Sequence, residues 1–260
     1  MRQLSIEEIN AYKADGFLKV PGLFDEEIAL EIQREIWMEL DEKFGIKEYS
    51  PSTWKTPLYS PRKAKYSPIN KKLINDDFRT IIDTLIGKEN WKEPNSWGGF
   101  LVTFPTNDIN SWSLHDKLWH WDYELFREDN HGALLIFSFY SVVSARGGGT
   151  LLIKGSHRLL NTWKHLLSAE QINKKHSFHR KEIQRLHPYL NKLTTSPEDV
   201  SEHVKFFMEQ ETVIDKIPLQ VIELTGNPGD VVFCHPRLIH APAGINLNDH
   251  PRMMRTKFLW

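Results

Sequence analysis

The segment Trp119-His120-Trp121-Asp122 combines residue types that could hold a metal ion. On an extended strand, side chains two apart project from the same face, so His120 and Asp122 present an imidazole and a carboxylate together. Taken alone, His-x-Asp equally suits a histidine hydrogen-bonded to a neighbouring acid, and a metal site needs a third ligand from elsewhere. His240 can supply it. It stands in Phe233-Cys234-His235-Pro236-Arg237-Leu238-Ile239-His240, after a strand opened by the turn Asn227-Pro228-Gly229-Asp230. His235 is its rival, because it ends that strand whereas His240 lies beyond Pro236. His115 and Asp116 are adjacent, so a regular strand points them to opposite faces and they cannot chelate together. Two neutral imidazoles and one carboxylate on one side of a metal leave the other side free, the arrangement associated with non-haem Fe(II) oxygenases. The single cysteine, Cys234, rules out a multi-thiolate zinc or iron–sulfur site within one chain.

An oxygenase of this kind must also hold a dicarboxylic 2-oxo acid, and a guanidinium fork meets a carboxylate with two parallel hydrogen bonds. Arg252 opens the last predicted strand, where Arg252, Met254, Thr256 and Phe258 share one face and Met253, Arg255, Lys257 and Leu259 the other. Met254 and Phe258 turn the first face inward, which favours Arg252 as the anchor and leaves Arg255 in reserve. Asn107, Trp121 and Phe126 are candidate substrate contacts, although large aromatics are first of all core material.

These residues need a β scaffold. Ser5-Ile6-Glu7-Glu8 reads as a capping box for a short helix that feeds a strand, Phe17 to Val20, and a second helix begins near Asp25. The segment 49–70 reads as a long irregular loop, of a kind that often covers a site. Strands are expected over 98–104, 133–143, 150–153, 219–224, 230–234 and 253–259. Between them, about 159–210, lies a helical insertion rich in Lys, His and Glu, whose histidines (His165, His176, His179, His187 and His203) read as solvated and without a role. Strands on both sides of such an insertion imply a mainly β fold with flanking helices, a double-stranded β-helix or jelly roll, in a single domain spanning 1–260.

Composition narrows the partners. With 40% apolar and 12% aromatic residues in 260, the chain folds by burial. Lys plus Arg number 33 against 34 Asp plus Glu, a net charge of −1, which removes the positive field that nucleic acid or an anionic membrane would call for. The N-terminal stretch has scattered charges and no apolar core, and no run reaches the ~18 apolar residues of a membrane span. The expectation is a cytoplasmic monomer or homodimer acting on a small molecule.

Four segments, in order, resemble the phytanoyl-CoA dioxygenase-like (PhyH) family of Fe(II)/2-oxoglutarate-dependent oxygenases. They are the opening helix and strand with Pro21-Gly22-Leu23-Phe24; His120-Trp121-Asp122; Gly148-Gly149-Thr150-Leu151-Leu152-Ile153-Lys154-Gly155-Ser156-His157; and Gly229-Asp230-Val231-Val232-Phe233 running on to His240, Asn246 and Arg252. The resemblance implies a cupin-like jelly roll, His120, Asp122 and His240 as iron ligands, Arg252 as the anchor of 2-oxoglutarate, and O2 as oxidant. It departs at Lys154, where the family usually has Pro, and in one extra residue between His240 and Asn246. An aspartate at 122 leaves no ligand position for chloride, which disfavours halogenation and favours hydroxylation of a C–H bond in a small metabolite. The alternatives are a zinc hydrolase, for which Arg252 has no duty, and a non-catalytic jelly-roll binding module.

Overall fold

The computed structural model describes residues 2–54, 58–106, 112–114, 117–126 and 132–260; Asn107, His115 and Asp116 lie outside them. Helix α1 (Ile6–Asp15) starts with the capping box between Ser5 and Glu8 and ends at Gly16, whose left-handed φ of 85° turns the chain directly into strand β1 (Phe17–Val20). Asp25 caps α2 (Glu26–Phe44). After β2 (Leu58–Tyr59) come α3 (Asp76–Ile86), β3 (Gly99–Thr103), β4 (Leu134–Phe139) and β5 (Leu151–Lys154). Five helices follow: α4 (Ser156–Trp163), α5 (Ala169–Ile172), α6 (His176–Leu186), α7 (Pro188–Thr194) and α8 (Val200–Val204). Strands β6 (Thr212–Ile214), β7 (Ile217–Glu223), β8 (Val231–Cys234), β9 (His240–Ala241) and β10 (Arg252–Leu259) complete the order.

The strands form two antiparallel sheets, β1-β8-β4-β10-β3-β2 and β6-β7-β5-β9. The period of two sorts their side chains into three cores. From β4, Leu134 and Ile136 join α1, α2 and α3 on the outer face of the larger sheet, while Leu135, Phe137 and Phe139 face the smaller one. In β8, Val231 and Phe233 go outward and Val232 and Cys234 inward. Strand β5 sends Leu152 into the space between the sheets and Leu151 and Ile153 toward the helices of 156–204. This layering explains why β4 is apolar at every position but Ser138: it is covered on both faces.

Among its described residues the 49–70 segment packs against α2 instead of covering the site, with Tyr59, Arg62 and Lys63 bonded to Glu39 and Ser67 to Glu35. The 3-10 turns Ala64–Tyr66 and Pro68–Leu73 bury Ala64, Asn70 and Leu73, and the Asn70 side chain bonds back to the carbonyls of Ala64, Lys65 and Ser67. Among the described residues no helix is long and apolar enough to cross a membrane.

Candidate metal centre

Strand β9 carries His240 and pairs antiparallel with β5 on one side and with His120 on the other, so the His120 segment is the next strand of the smaller sheet. His120 N donates to His240 O at 2.9 Å, and His240 N to His120 O at 2.8 Å. Directly paired residues project to the same face, which sets the two rings 4.3 Å apart between centroids. Asp122, two residues on, turns to that face as well, its backbone N–H donating to Pro236 O at 3.3 Å. Its Oδ1 is 3.8 Å from His120 Nε2 and its Oδ2 3.7 Å from His240 Nε2. Among the described residues these three form the group whose potential ligand atoms all lie within 4.8 Å of one another.

The donor set fits a metal ion. Bonds of about 2 Å place ligand atoms about 3 to 3.5 Å apart, so closure around an ion takes shifts of a few tenths of an ångström per side chain. The tautomers also fit. His120 Nδ1 meets Leu118 O at 2.7 Å and His240 Nδ1 meets Leu238 O at 3.0 Å, so in each ring Nδ1 carries the hydrogen and the Nε2 lone pair faces the shared space. Burial, helped by the neighbouring His120, holds the His240 pKa below the ordinary histidine value, which keeps the ring neutral and ligand-ready. His240 is itself fixed through Ile239, whose N–H donates to Ser156 Oγ at 2.8 Å and whose carbonyl accepts from Ile153 at 2.8 Å.

The triad opens into a cavity of about 210 Å³ between the sheets, lined also by Leu101, Phe137, Thr150, Pro242, Arg252, Met254 and Thr256. Arg252 lies opposite Thr103 in the β10–β3 register, and its Nη2 donates to Thr103 Oγ1 at 2.8 Å. Its Nε is buried and has no hydrogen-bond partner. Burial lowers its pKa to about 10, against the pull of the nearby Glu223 carboxylate, so the group stays charged at neutral pH. A buried cation with an unmet donor beside a cavity is suited to a carboxylate ligand. Glu223 accepts from Arg146 N at 2.6 Å and Gly149 N at 3.0 Å, which ties it to the turn before β5. That turn requires glycine at 149, where a Cβ would come within 2.0 Å of Leu224 O. Asn246 links the approach to β10 with β3, its Nδ2 donating to Thr103 O at 3.1 Å and His250 O at 2.8 Å.

The rival residues lie elsewhere. His235 is half-buried against His157, with ring centroids 4.7 Å apart. Arg255 points through the opposite face of β10, where Nη1 donates to Asn70 Oδ1 at 2.7 Å and the guanidinium sits over the rings of Phe100 and Tyr140. Trp121 departs from its expected place at the substrate: alternation turns it away from His120 and Asp122, and it is fully buried in the core under the helices. Phe126 lines a separate cavity of about 390 Å³ with Glu124, Ile172, Lys175, His176 and His179.

Residues 159–210 depart most from the sequence reading. His179, His187 and His203 are buried, and α6 reaches the segment Trp119–Asp122 itself. His176 Nε2 lies 3.1 Å from Trp121 O, Arg180 Nη2 donates to the same carbonyl, and Gln184 Nε2 donates to Trp119 O at 2.7 Å. Arg180 Nη2 is also 4.0 Å from Asp122 Oδ1. The signal available in the sequence was the spacing of these three polar side chains, one per turn of a single helix face.

The family model described as phytanoyl-CoA dioxygenase (PhyH) matches residues 12–254. No curated protein matches the chain significantly. Among solved structures, HygX from Streptomyces hygroscopicus with nickel and 2-oxoglutarate bound is similar at a TM-score of 0.54 and 13% identity, covering 99% of this chain and 87% of that one. EctD from S. alaskensis with bound Fe gives 0.53 and 16%, covering 98% and 75%. The non-heme alpha-ketoglutarate-dependent carbocyclase SnoK from nogalamycin biosynthesis gives 0.50 and 17%, covering 98% and 84%. At these identities the likeness is one of fold, and the fold is the jelly roll of these proteins.

Proposed function

The chain belongs to the phytanoyl-CoA dioxygenase (PhyH) family, and from that premise we propose that it is an Fe(II)- and 2-oxoglutarate-dependent oxygenase acting on a small-molecule metabolite, with hydroxylation of a C–H bond as its reaction. The observation that carries this reading is the convergence of His120, Asp122 and His240 beside a buried guanidinium that has an unmet donor. A zinc hydrolase would leave that guanidinium without a task, and a silent binding module would leave both groups without one.

Held by the triad, Fe(II) with 2-oxoglutarate and O2 supplies an oxidant able to take hydrogen from a C–H bond. The protein's residues do the rest. The carbonyls of Leu118 and Leu238 fix the imidazole tautomers, so the two Nε2 atoms meet the ion without proton movement. Asp122 brings the negative charge. Arg252, with its unmet Nε donor and its Nη2 held by Thr103, would hold the far carboxylate of 2-oxoglutarate. The Thr150 hydroxyl and the walls of Leu101, Phe137 and Met254 confine the cosubstrate and exclude water from it. Substrate approaches from the open side of Asp122, whose side chain is 31% exposed. Desaturation, ring closure and epimerisation begin with the same hydrogen removal, so the target bond decides the product. The single buried cysteine suits a reducing, cytoplasmic setting.

Anaerobic titration of Fe(II) into protein with 2-oxoglutarate tests the assignment. A weak visible charge-transfer band should grow to one equivalent and be absent in His120→Ala; no band in the wild-type chain refutes it. Oxygen should then release succinate, and a panel of small metabolites identifies the substrate by the increase it gives.

A further inference from the structure

His120 spends both backbone polar groups on His240, so the flanking carbonyls of Trp119 and Trp121 point away from the sheet. An unpaired edge of this kind is open to slippage and wrong pairing. Helix α6 covers it. Gln184 and Arg180, four apart, donate to Trp119 O and Trp121 O, two apart, and His176 one turn further reaches Trp121 O as well. For Gln184 and Arg180 the match is geometric: four residues of helix rise about 6 Å and two of strand about 6.7 Å, so these two turns meet the two outward carbonyls. Pro236 O holds the backbone from within the barrel, accepting from Asp122 and Tyr123. The segment carrying two of the three ligands is thus gripped from both sides. At the end of this row Arg180 Nη2 stands 4.0 Å from Asp122 Oδ1, with a side chain 28% exposed.

We propose that α6 is a clamp that sets the geometry of the metal-binding segment, and that Arg180 is a positioning residue that holds Asp122 Oδ1 so that the carboxylate meets the metal through its other oxygen. This deepens the iron reading and rests on it. A carboxylate engaged through one oxygen leaves a coordination position for the cosubstrate, whereas one bound through both would use it. Arg180 is not among the residues that line the cavity of the triad; it acts through Asp122 and the Trp121 carbonyl.

The test uses the full chain and Mn(II), which replaces Fe(II) in air and reports its free concentration by EPR. Partners of this kind are worth roughly 10- to 100-fold in metal affinity, so Arg180→Gln should raise the Mn(II) Kd by about that factor. The Tm of the metal-free protein should stay within a few degrees of wild type. Arg180→Lys, which keeps a cation within reach of Oδ1, should recover most of the affinity, and the Co(II) visible spectrum of Arg180→Gln should differ in intensity from wild type as coordination number changes. A wild-type Kd in Arg180→Gln, or an Arg180→Lys protein as weak as the Gln variant, overturns the proposal and leaves Arg180 a helix-docking residue. Should Arg180→Gln fail to fold, Gln184→Leu carries the test of the clamp: it removes the donor to Trp119 O without altering charge, and unchanged Mn(II) affinity in it refutes the clamp. Wild-type protein that binds no Mn(II) refutes the iron reading itself, an outcome distinct from any of these.

Discussion

The His157–His235 pair should make this protein acid-labile, by an amount that follows from its surroundings. His157 Nε2 meets Lys13 O at 3.1 Å, its Nδ1 is buried without a hydrogen-bond partner, and its ring faces that of His235 at 4.7 Å between centroids. His235 Nδ1 accepts from Arg237 N at 3.1 Å and is therefore unprotonated. Burial is the main cause that lowers the His157 pKa to about 4, opposed by the Lys13 carbonyl and assisted by Arg158; burial, then His157 and Arg237, lowers that of His235 to about 3. In the unfolded chain both return to about 6.5. Between those values the unfolded state binds more protons than the folded one, so stability rises with pH: it is complete above about pH 6.5 and is lost as pH falls. For His157 alone the loss is about 2 kcal/mol at pH 5 and about 3 kcal/mol at pH 4. The perturbation is His157→Gln, whose side-chain amide keeps a donor for Lys13 O and cannot titrate. Urea unfolding of the metal-free protein at a series of pH values gives ΔG for both chains, and their difference cancels the other titrating groups. Wild type should lose about 2 kcal/mol more than the variant between about pH 7 and pH 5. Two curves that stay parallel within about 0.5 kcal/mol would refute the claim that burial keeps this ring neutral.

Two further outcomes test other parts of the structure. Arg252→Lys keeps the charge beside Glu223 but loses the planar fork, so KM for 2-oxoglutarate should rise by roughly 30-fold or more, as expected for a lost buried charge contact of about 2 kcal/mol or above. Mn(II) binding without cosubstrate should be unchanged in that variant; an unchanged KM would move the carboxylate site elsewhere. Gly16→Ala places a methyl 2.4 Å from His157 Nδ1 and 2.6 Å from Leu238 Cδ1 at a φ of 85°. A cost of about 2 to 3 kcal/mol should lower the Tm by roughly 5 to 10 °C, read by circular dichroism.

Much of this architecture can be read from residue order because its signals are local. Alternation and turn residues mark the longer strands but not the short β2, β6 and β9, and the caps at Ser5 and Asp25 mark where two helices start. The pairing of His120 with Asp122 depends only on the period of a strand. Helix α3 has equally local marks, an Asn75 cap and Phe78, Ile81 and Ile82 on one face, yet it lies in a stretch to which the sequence reading assigned no element. Other features require contacts that spacing does not encode. Whether His235 or His240 joins His120 and Asp122 depends on β9 pairing with both β5 and His120, and Arg252 is distinguished from Arg255 by which face of β10 meets the space between the sheets. The insertion was the least legible part. Its Lys, His and Arg content has the composition of a solvated surface, but Ile183, Leu190, Leu193 and Phe207 bury one side against the smaller sheet and leave polar residues of α6 facing a strand edge.

Strand β10 occupies the middle of the larger sheet, hydrogen-bonded to β4 on one side and β3 on the other, although it follows every other described strand in the sequence. Until residues 252–259 have been synthesised, β3 and β4 have an empty lane between them and the guanidinium of Arg252 is missing from the cavity wall. Assembly of the larger sheet must therefore wait for β10, and a nascent chain stalled short of it would leave the facing edges of β3 and β4 unpaired and open to aggregation or to chaperones.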